Sequence, residues 1–481
     1  MRLVSRVLSI AAAVALLIPA CGSEPNLARS PGLKSDPAIN ADIIVTAAPI
    51  YEPLAAIRGE ERFPKGAQLL LVHAGKAQPL LTGFAASADA NVSFDGKRVL
   101  FAGKQAASDP WEIWELTLAD GSLRKLIAGA GSEKADAIRP FYLPAGRLVY
   151  AQRTPQGYQL EAAGKDDSYA FAPIDSSAGS ELLPLSYLPS SAIPSDVLAD
   201  GRILFETGFP LGTGSSPELF LVYSDGSGVE SYRCDHGKAR WGGKQIANGD
   251  VVFTHGASLS RFTSPLAHEE SIAAPHAEYA GAIAETASGA WLVSARTAAG
   301  THYALKQWKP GTAALETVLA KSDENLVDPV LVAPRNRPKR HPSGLHDWNY
   351  ANLLALDARQ SREGNLKVTP ATVRLETLDA GHAVVMGTAP VEPDGSFFVK
   401  APADKPIRFA LLDEKGAVLR QEHGWFWIRR GEQRICVGCH VGPEHASENR
   451  VPAVLLRTTT PLDLTGSAQT EAPKQKTPGG N

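Results

Sequence analysis

Short runs of alternating apolar and polar residues, separated by turn residues, fill the chain from about residue 68 to 334, and sustained helical periodicity is almost absent there. The typical unit is a tight Asp-Gly or Asn-Gly turn followed by an apolar strand, as in residues 93–101 (SFDGKRVLF). Glycine and asparagine tolerate the positive φ that such turns need. The pattern therefore predicts a region of short antiparallel strands.

This turn-plus-strand unit recurs along the region. Weaker or stronger copies place a turn glycine at positions 96, 146, 201, 249 and 289. A spacing of about 48 residues is the size of a four-stranded propeller blade. Five such units, a further one opened by residues 328–332, and a strand near residues 68–72 that closes the ring predict six blades. A tandem of β-sandwiches is the alternative, because it also has regularly spaced short strands.

The repeat resembles that of TolB-like, or PD40, propellers in its turn at residues 93–98 and in the strands 111–118 and 219–223 that precede second Asp-Gly turns. The resemblance implies a mainly β fold with a six-bladed TolB-like propeller. A propeller alone does not specify a function. Along the sequence, residues 68–334 contain neither a nucleophile beside a base nor clustered carboxylates.

Composition narrows the class of protein. The chain has 48 Lys plus Arg against 51 Asp plus Glu, so its charge is too near zero to indicate a nucleic-acid partner. Four cysteines in 481 residues are too few for a scaffold held together by disulfides. Each cysteine therefore needs its own explanation.

Cys21 ends an export signal. Arg2 and Arg6 precede an apolar run over residues 7–18, and a small residue stands before the cysteine. These features are typical of a secretory signal peptide. Ala20-Cys21 resembles a bacterial lipobox, which implies that Cys21 is acylated and that the protein is an outer-membrane lipoprotein on the periplasmic face. An ordinary signal peptide with a spare cysteine is the alternative.

The composition changes again after a basic, Pro-rich stretch at residues 335–342. Four strand-like segments between residues 371 and 412 then predict a small β-domain. The predicted organisation is a signal peptide at 1–20, a flexible tether at 21–45, a β-propeller at 46–335, a linker at 336–367, a small β-domain at 368–457 and a disordered tail at 458–481.

The strongest chemical signal is the motif CVGCH at residues 436–440. CxxCH is the attachment sequence of c-type haem, in which Cys436 and Cys439 bind the porphyrin covalently and His440 is the proximal ligand of the iron. A CxxC redox pair, a zinc site that also recruits His445, and a structural disulfide are the alternatives. Export favours haem, because c-type attachment occurs outside the cytoplasm.

Residues 393–404, 411–416 and 431–440 resemble the haem module of proteins related to the hydrazine synthase alpha subunit, a family in which a propeller precedes this module. The family's alpha subunit holds two c-type haems, whereas this chain has a single CxxCH. The resemblance therefore implies a monohaem relative with one haem c.

The sequence does not assign the sixth ligand of the iron. His423 is the first candidate for the distal position, and His236 is the alternative because in this family a distal histidine can come from the propeller. His255, His346, His382, His445 and Met386 are weaker candidates. Cys234, beside His236, is interpreted as a lone buried thiol, and its role stays open.

The resulting hypothesis is an electron-transfer cytochrome of the cell envelope. It is anchored to the membrane through its N-terminal lipid, exchanges electrons with a redox partner protein and has no nucleic-acid partner. A haem-dependent oxidoreductase acting on a small nitrogen or oxygen species is the first alternative. A propeller binding module with a structural or sensory haem is the second.

Overall fold

A computed structural model of the chain describes residues 41–127, 135–164, 182–209, 216–233, 235–361, 364–438 and 448–466. Within these ranges the backbone forms eight four-stranded sheets and very little helix. The predicted mainly β fold is therefore confirmed. No helix in these ranges is both long and apolar enough to cross a membrane.

Six of the sheets lie between residues 43 and 331. Their strands, numbered β1 to β24 in chain order, are Ile43–Ala48, Gln68–His73, Lys76–Pro79, Ala86–Val92, Arg98–Lys104, Glu112–Thr117, Leu123–Ile127, Ala137–Tyr142, Leu148–Thr154, Gly157–Ala163, Leu182–Pro184, Ala192–Val197, Ile203–Phe209, Ser216–Val222, Glu230–Ser231, Arg240–Gln245, Val251–His255, Ser258–Phe262, Glu270–Ser271, Glu278–Glu285, Trp291–Arg296, Ala304–Trp308, Leu315–Leu319 and Asn325–Leu331. Five sheets use four consecutive strands each, and the remaining one combines β24 with β1, β2 and β3. Short 3₁₀ helices lie at Ala56–Arg58 and Pro144–Gly146.

These six sheets surround a common axis. The strands β4, β8, β12, β16, β20 and β24, here called the inner strands, contact one another in that order, and β24 also contacts β4. Antiparallel pairing of β24 with β1 joins the two ends of the region. The result is a closed, propeller-like ring, as the repeat predicted.

The repeated turn of the sequence joins an inner strand to the next strand of its sheet. In the first copy Gly96 has a φ of +75°, and the hydroxyl of Ser93 accepts a hydrogen bond of 2.9 Å from the amide of Arg98. Gly201 and Gly249 occupy the same turn in later sheets, with φ of +92° and +95°. The apolar strand after each turn is buried, so the turn fixes the hairpin and the strand supplies the core.

The other two sheets form a sandwich. Their strands, β25 to β32, are Tyr350–Ala355, Thr372–Asp379, His382–Pro390, Phe397–Pro402, Ile407–Leu412, Val418–Gln421, Gln433–Cys436 and Leu462–Asp463, and the helix α1 is Ala453–Arg457. One sheet has the order β31-β25-β28-β32 and the other β27-β26-β29-β30. A single buried core joins Leu353 and Val399 of the first sheet to Leu375 and Phe409 of the second.

The sandwich extends beyond the predicted domain at both ends. β25 lies within the segment 336–367 that the sequence analysis assigned to a linker, and it pairs with β28 and β31. Within the predicted tail 458–481, β32 pairs with β28 and Leu464 is buried. β1 likewise begins inside the predicted tether. These strands are short and pair with distant segments, so their neighbours in sequence carry no hairpin signal.

The segment between β24 and β25, residues 332–349, is here called the strap. It follows one side of the ring and is held by backbone hydrogen bonds, from the Arg335 amide to the Phe94 carbonyl (3.0 Å) and from the Lys339 amide to the Ala199 carbonyl (2.9 Å). Further along, His341 stacks on Tyr223 with ring centroids 3.9 Å apart. The basic, Pro-rich stretch is therefore docked on the ring along its length.

Candidate functional site

Cys436 is the last residue of β31, which runs parallel to β25 and pairs with it up to Ala355. The Leu356 amide donates a 2.9 Å hydrogen bond to the Cys436 carbonyl, and the side chain packs, partly buried, against the sandwich core. The first cysteine of the motif therefore stands on a fixed element of the sandwich. Cys439 and His440 lie outside the described residues, as do Cys21 and Cys234.

The electrostatic surroundings of the Cys436 thiol favour its protonated form. Burial raises its pKa, the nearby carboxylate of Glu422 acts in the same direction, and Arg434 partly opposes both. Catalytic redox cysteines are instead typified by a lowered pKa. The environment on the described side of the motif is thus unlike that of an activated thiol.

His423 lies two residues beyond β30 and is exposed. It directly follows Glu422, the residue whose charge acts on the Cys436 thiol. The structure therefore brings the segment that carries His423 into the neighbourhood of the haem motif.

His236 lies on the ring, in a loop between β15 and β16. Its imidazole stacks on Phe220, with ring centroids 6.2 Å apart. Arg240 holds the adjacent Asp235 through two hydrogen bonds of 2.6 and 2.8 Å, and the Gly237 amide donates to Glu218. The loop has a defined position that depends on buried polar contacts.

The loop of His236 and the haem motif are connected through one buried cluster. Trp427 of the sandwich is fully buried between sheets of the ring, and its Nε1 donates a 2.8 Å hydrogen bond to the Gly226 carbonyl. Phe220, on which His236 stacks, belongs to the same cluster. Arg434, two residues before Cys436, donates a hydrogen bond to the Val229 carbonyl.

The weaker ligand candidates have other contacts. His255 Nδ1 lies 2.5 Å from a carboxylate oxygen of Glu269, and His346 stacks on Trp348. His382 is exposed, and Met386 packs against the sandwich core. His445 is outside the described residues, and within the described ranges no three His, Cys, Asp or Glu side chains are arranged to hold a metal ion.

The segment after the motif is tied back to the sandwich. Arg450 forms an ion pair with Asp394 and another with Glu448. Although burial opposes ionisation, hydrogen bonds from Ser396, the Ala453 amide and Arg450 lower the pKa of Asp394 to about 2. Arg450 and Asp394 thus fix the segment that follows the motif to the sandwich.

A second polar cluster, which the sequence analysis missed, lies on the axis of the ring. Arg62 donates 2.6 Å hydrogen bonds to both Asp89 and Asp328, and Arg139 lies 3.5 Å from Asp328 and 3.8 Å from Glu206. All five side chains are buried. Burial opposes the ionisation of Asp328, but Arg62 and Arg139 hold its pKa below the ordinary value. Carboxylates that are scattered along the sequence thus meet in space.

β-Bulges place these axial side chains. Asp89, Arg139 and Asp328 each have φ between 52° and 59° at a break in the register of an inner strand. A left-handed conformation costs a non-glycine residue about 1–2 kcal/mol. In the inner strands β16 and β20, Gly242 and Gly281 take the equivalent conformation. Alignment of the repeats on their inner strands would have revealed this polar position.

Comparison with known proteins gives a family match for the sandwich and a structural match for most of the chain. The family model of the hydrazine synthase alpha subunit middle domain matches residues 354–441. The structure of Kuenenia stuttgartiensis hydrazine synthase is similar with a TM-score of 0.74 and 16% identity, over 87% of this chain and 71% of that chain. At 16% identity this structural similarity shows a shared fold and nothing further.

Looser structural matches are to propeller proteins. TolB from Acinetobacter baumannii has a TM-score of 0.43 at 11% identity, over 61% of this chain and 67% of that chain. The β-propeller domain of the Trilobed protease from Pyrococcus furiosus has a TM-score of 0.32 at 11% identity, over 53% of this chain and 91% of that chain. The search of curated proteins gives no significant match.

Proposed function

Because residues 354–441 make this chain a relative of the hydrazine synthase alpha subunit, we propose that it is an exported c-type cytochrome that passes single electrons to a partner protein. The relationship predicted from the sequence is confirmed, and the fold is that of a hydrazine synthase-like β-propeller protein. The matched segment contains the whole CxxCH motif, with Cys436, Cys439 and His440.

The observation that carries the proposal is the position of Cys436 at the end of a paired strand. Apolar side chains on both flanks of the motif are exposed: Ile435 by 64%, Val451 by 61% and Leu456 by 76%. Ile435 directly precedes Cys436, and an exposed apolar side chain beside the motif fits an attached haem, because the apolar macrocycle would cover it.

In the proposed site the thiols of Cys436 and Cys439 would hold the porphyrin, and the imidazole of His440 would bind the iron. A c-type haem would supply a one-electron iron couple whose potential depends on its ligands and burial. His423 of the sandwich or His236 of the ring would supply the second imidazole. A second histidine on the iron would leave no position for a substrate, and this favours electron transfer.

Covalent attachment is tested by producing the chain together with haem-attachment machinery and staining a denaturing gel for haem. We expect the wild type to stain and Cys436→Ser and Cys439→Ser to lose most of the stain. Cys234→Ser, which removes a thiol outside the motif, is the matched control. An unstained wild-type band would refute the proposal.

The distal ligand is tested by absorption spectra of the purified ferric protein. A bis-histidine iron is expected to be low-spin, and His423→Ala is expected to convert it to high-spin. If His236→Ala produces the change instead, the ring supplies the ligand. His382→Ala, at an exposed position, is the control and should leave the spectrum unchanged.

Enzymatic activity on a small nitrogen or oxygen species is the second candidate. The structural similarity to Kuenenia hydrazine synthase, over 71% of that chain, is the observation that favours it. A high-spin haem that binds carbon monoxide in the ferrous protein would support this function and would contradict the pure electron carrier. A haem that neither binds ligands nor exchanges electrons with mediators would indicate the third function, a binding module with a structural or sensory haem.

Envelope localisation and blade number belong to the same proposal. The closed ring of inner strands supports a six-bladed propeller.

Acylation of Cys21 would anchor the protein at the periplasmic face of the outer membrane. Cys21→Ser is expected to release the protein from the membrane fraction, whereas Cys234→Ser should stay membrane-bound; release of neither variant would refute the anchor.

A further inference from the structure

The ring encloses a cavity of about 210 Å³ on its axis. Every inner strand contributes to its lining, through Asp89, Arg139, Ser195, Lys244, Ala282 and Asp328. A cavity of about 150 Å³ is large enough for a benzene molecule. The axial cavity is therefore large enough for a small organic ligand.

Buried ion pairs form one end of this cavity. Asp89 and Asp328, which line it, both accept hydrogen bonds from Arg62. Arg139 and Asp328 also line a second cavity of about 10 Å³ beneath the segment that contains Tyr51 and Ile57. The ion pairs thus separate the axial cavity from that segment, and both guanidiniums at this end, Arg62 and Arg139, are paired with carboxylates.

Arg335, on the strap, lines the same cavity but has no such match. Its guanidinium donates only to neutral oxygens, the Asn91 side chain at 3.4 Å and the Val92 carbonyl at 3.2 Å, and lies 4.4 Å from the centre of the Phe94 ring. No ion pair joins Arg335 to a carboxylate in the described part of the chain. Lys244, a further cation on the wall, is 2.7 Å from Asp196, whose charge also acts on Arg335 without an ion pair.

Most of the remaining wall is apolar. The apolar residues Val92, Phe141, Ile283 and Val330 line it from four different inner strands. Small-molecule sites typically combine such walls with a few placed polar groups. An unmatched arginine beside an apolar wall is suited to a ligand with one anionic end and an alkyl chain, because a guanidinium binds a carboxylate through two parallel hydrogen bonds.

We propose that the axial cavity binds a short aliphatic carboxylate, whose carboxylate contacts Arg335 and whose alkyl chain lies against Val92, Ile283 and Val330. Glu285 also lines the cavity, and its Oε2 accepts a 2.7 Å hydrogen bond from the Ala247 amide. Its negative charge opposes an anionic ligand. The two lining residues Arg335 and Glu285 therefore predict substitution effects of opposite sign.

Titration calorimetry of the full haem-loaded chain with hexanoate tests the proposal. We expect one hexanoate per chain, and binding of hexanol, which has the same alkyl chain without charge, that is weaker by about tenfold or more. Hexylammonium should not bind. Absence of hexanoate binding, or equal binding of hexanol, would overturn the proposal.

Three substitutions make the test specific to the cavity. Arg335→Gln should weaken hexanoate binding by about tenfold or more, whereas Arg337→Gln, an exposed position on the same strap, should change it by less than about twofold. Glu285→Gln, which removes the opposing charge, should strengthen it. A loss of affinity in Glu285→Gln, or equal losses at both arginines, would contradict the assigned ligand charge or site.

Arg335→Lys protects the test against a folding defect. It keeps the positive charge and should retain part of the affinity with an unchanged melting temperature. If Arg335→Lys is folded and binds no better than Arg335→Gln, the carboxylate does not contact the charge at this position.

Discussion

The substitution Gly201→Ala tests the contact between the strap and the ring, because the added methyl group would meet the strap. Gly201 has a φ of +92°, and a Cβ at this position would lie 2.1 Å from the Lys339 carbonyl oxygen, well inside the 3.0 Å that real Cβ atoms keep. The strap must therefore move by about 1 Å to restore an ordinary contact. That movement strains the hydrogen bond from the Lys339 amide to the Ala199 carbonyl.

Gly249→Ala is the matched control. Gly249 occupies the same turn with a φ of +95°, and nothing lies within 4 Å of the corresponding Cβ. Both alanines carry a left-handed strain of about 1–2 kcal/mol. Only Gly201→Ala also disturbs the strap, and a lost backbone hydrogen bond is worth about 0.5–1.5 kcal/mol. We expect the free energy of unfolding to be lower in Gly201→Ala than in the control by about 1 kcal/mol.

Urea unfolding gives the difference in stability, and amide hydrogen exchange shows where it arises. Peptides from residues 333–346 should exchange faster in Gly201→Ala than in Gly249→Ala, while peptides from the sandwich core should not change. If both variants have the same unfolding free energy and the same exchange in the strap, Gly201 does not hold the strap on the ring.

Three further outcomes follow from buried contacts. Trp427→Ala should lower the free energy of unfolding in urea by about 3–5 kcal/mol. Trp427→Phe keeps an aromatic ring but loses the hydrogen bond to Gly226 and part of the indole volume, and should lower it by about 1–2 kcal/mol; equal losses would contradict a packing role. Arg62→Met leaves buried carboxylates without their guanidinium and should lower the free energy of unfolding by about 3–5 kcal/mol. An unchanged free energy of unfolding would refute the stabilising role of the axial ion pairs. The folded-state pKa of Asp394 is below its unfolded value of about 3.9, so its stabilising effect is present above pH 4 and lost as pH falls towards 2. The protection factors of amides in residues 448–457, which correct for the intrinsic pH dependence of exchange, should therefore fall over that range in the wild type, but be independent of pH and lower throughout in Asp394→Asn.

Local signals in the sequence predicted the ring, and a local signal, CxxCH, is also the basis of the haem site, which stays a prediction. Gly96, Gly201 and Gly249 mark hairpin turns because left-handed backbone selects glycine within a few residues of the strand that follows. The spacing in CxxCH is likewise local, because two thiols and one histidine must reach a single cofactor. Such features can be read without knowledge of distant contacts.

Features that depend on distant contacts were not predictable in this way. β25 pairs with β28 and with β31, which follow it by tens of residues, so its short apolar alternation was assigned to a linker. Asp89 and Asp328 meet only because the ring closes and both accept hydrogen bonds from Arg62. The contact between Trp427 and Gly226 was not predictable for the same reason, because the two residues are distant in sequence.

Closure of the ring by β24 also has a consequence for synthesis. Asn325 of β24 hydrogen-bonds to the carbonyl of Ala48, 277 residues earlier in the chain. Until β24 has been made and delivered, β1 has an unpaired edge, and such edges recruit strands of other molecules. A nascent chain that stops before residue 325 therefore carries an exposed strand edge, and a chaperone that shields β1 during synthesis would protect the sheet that is completed last.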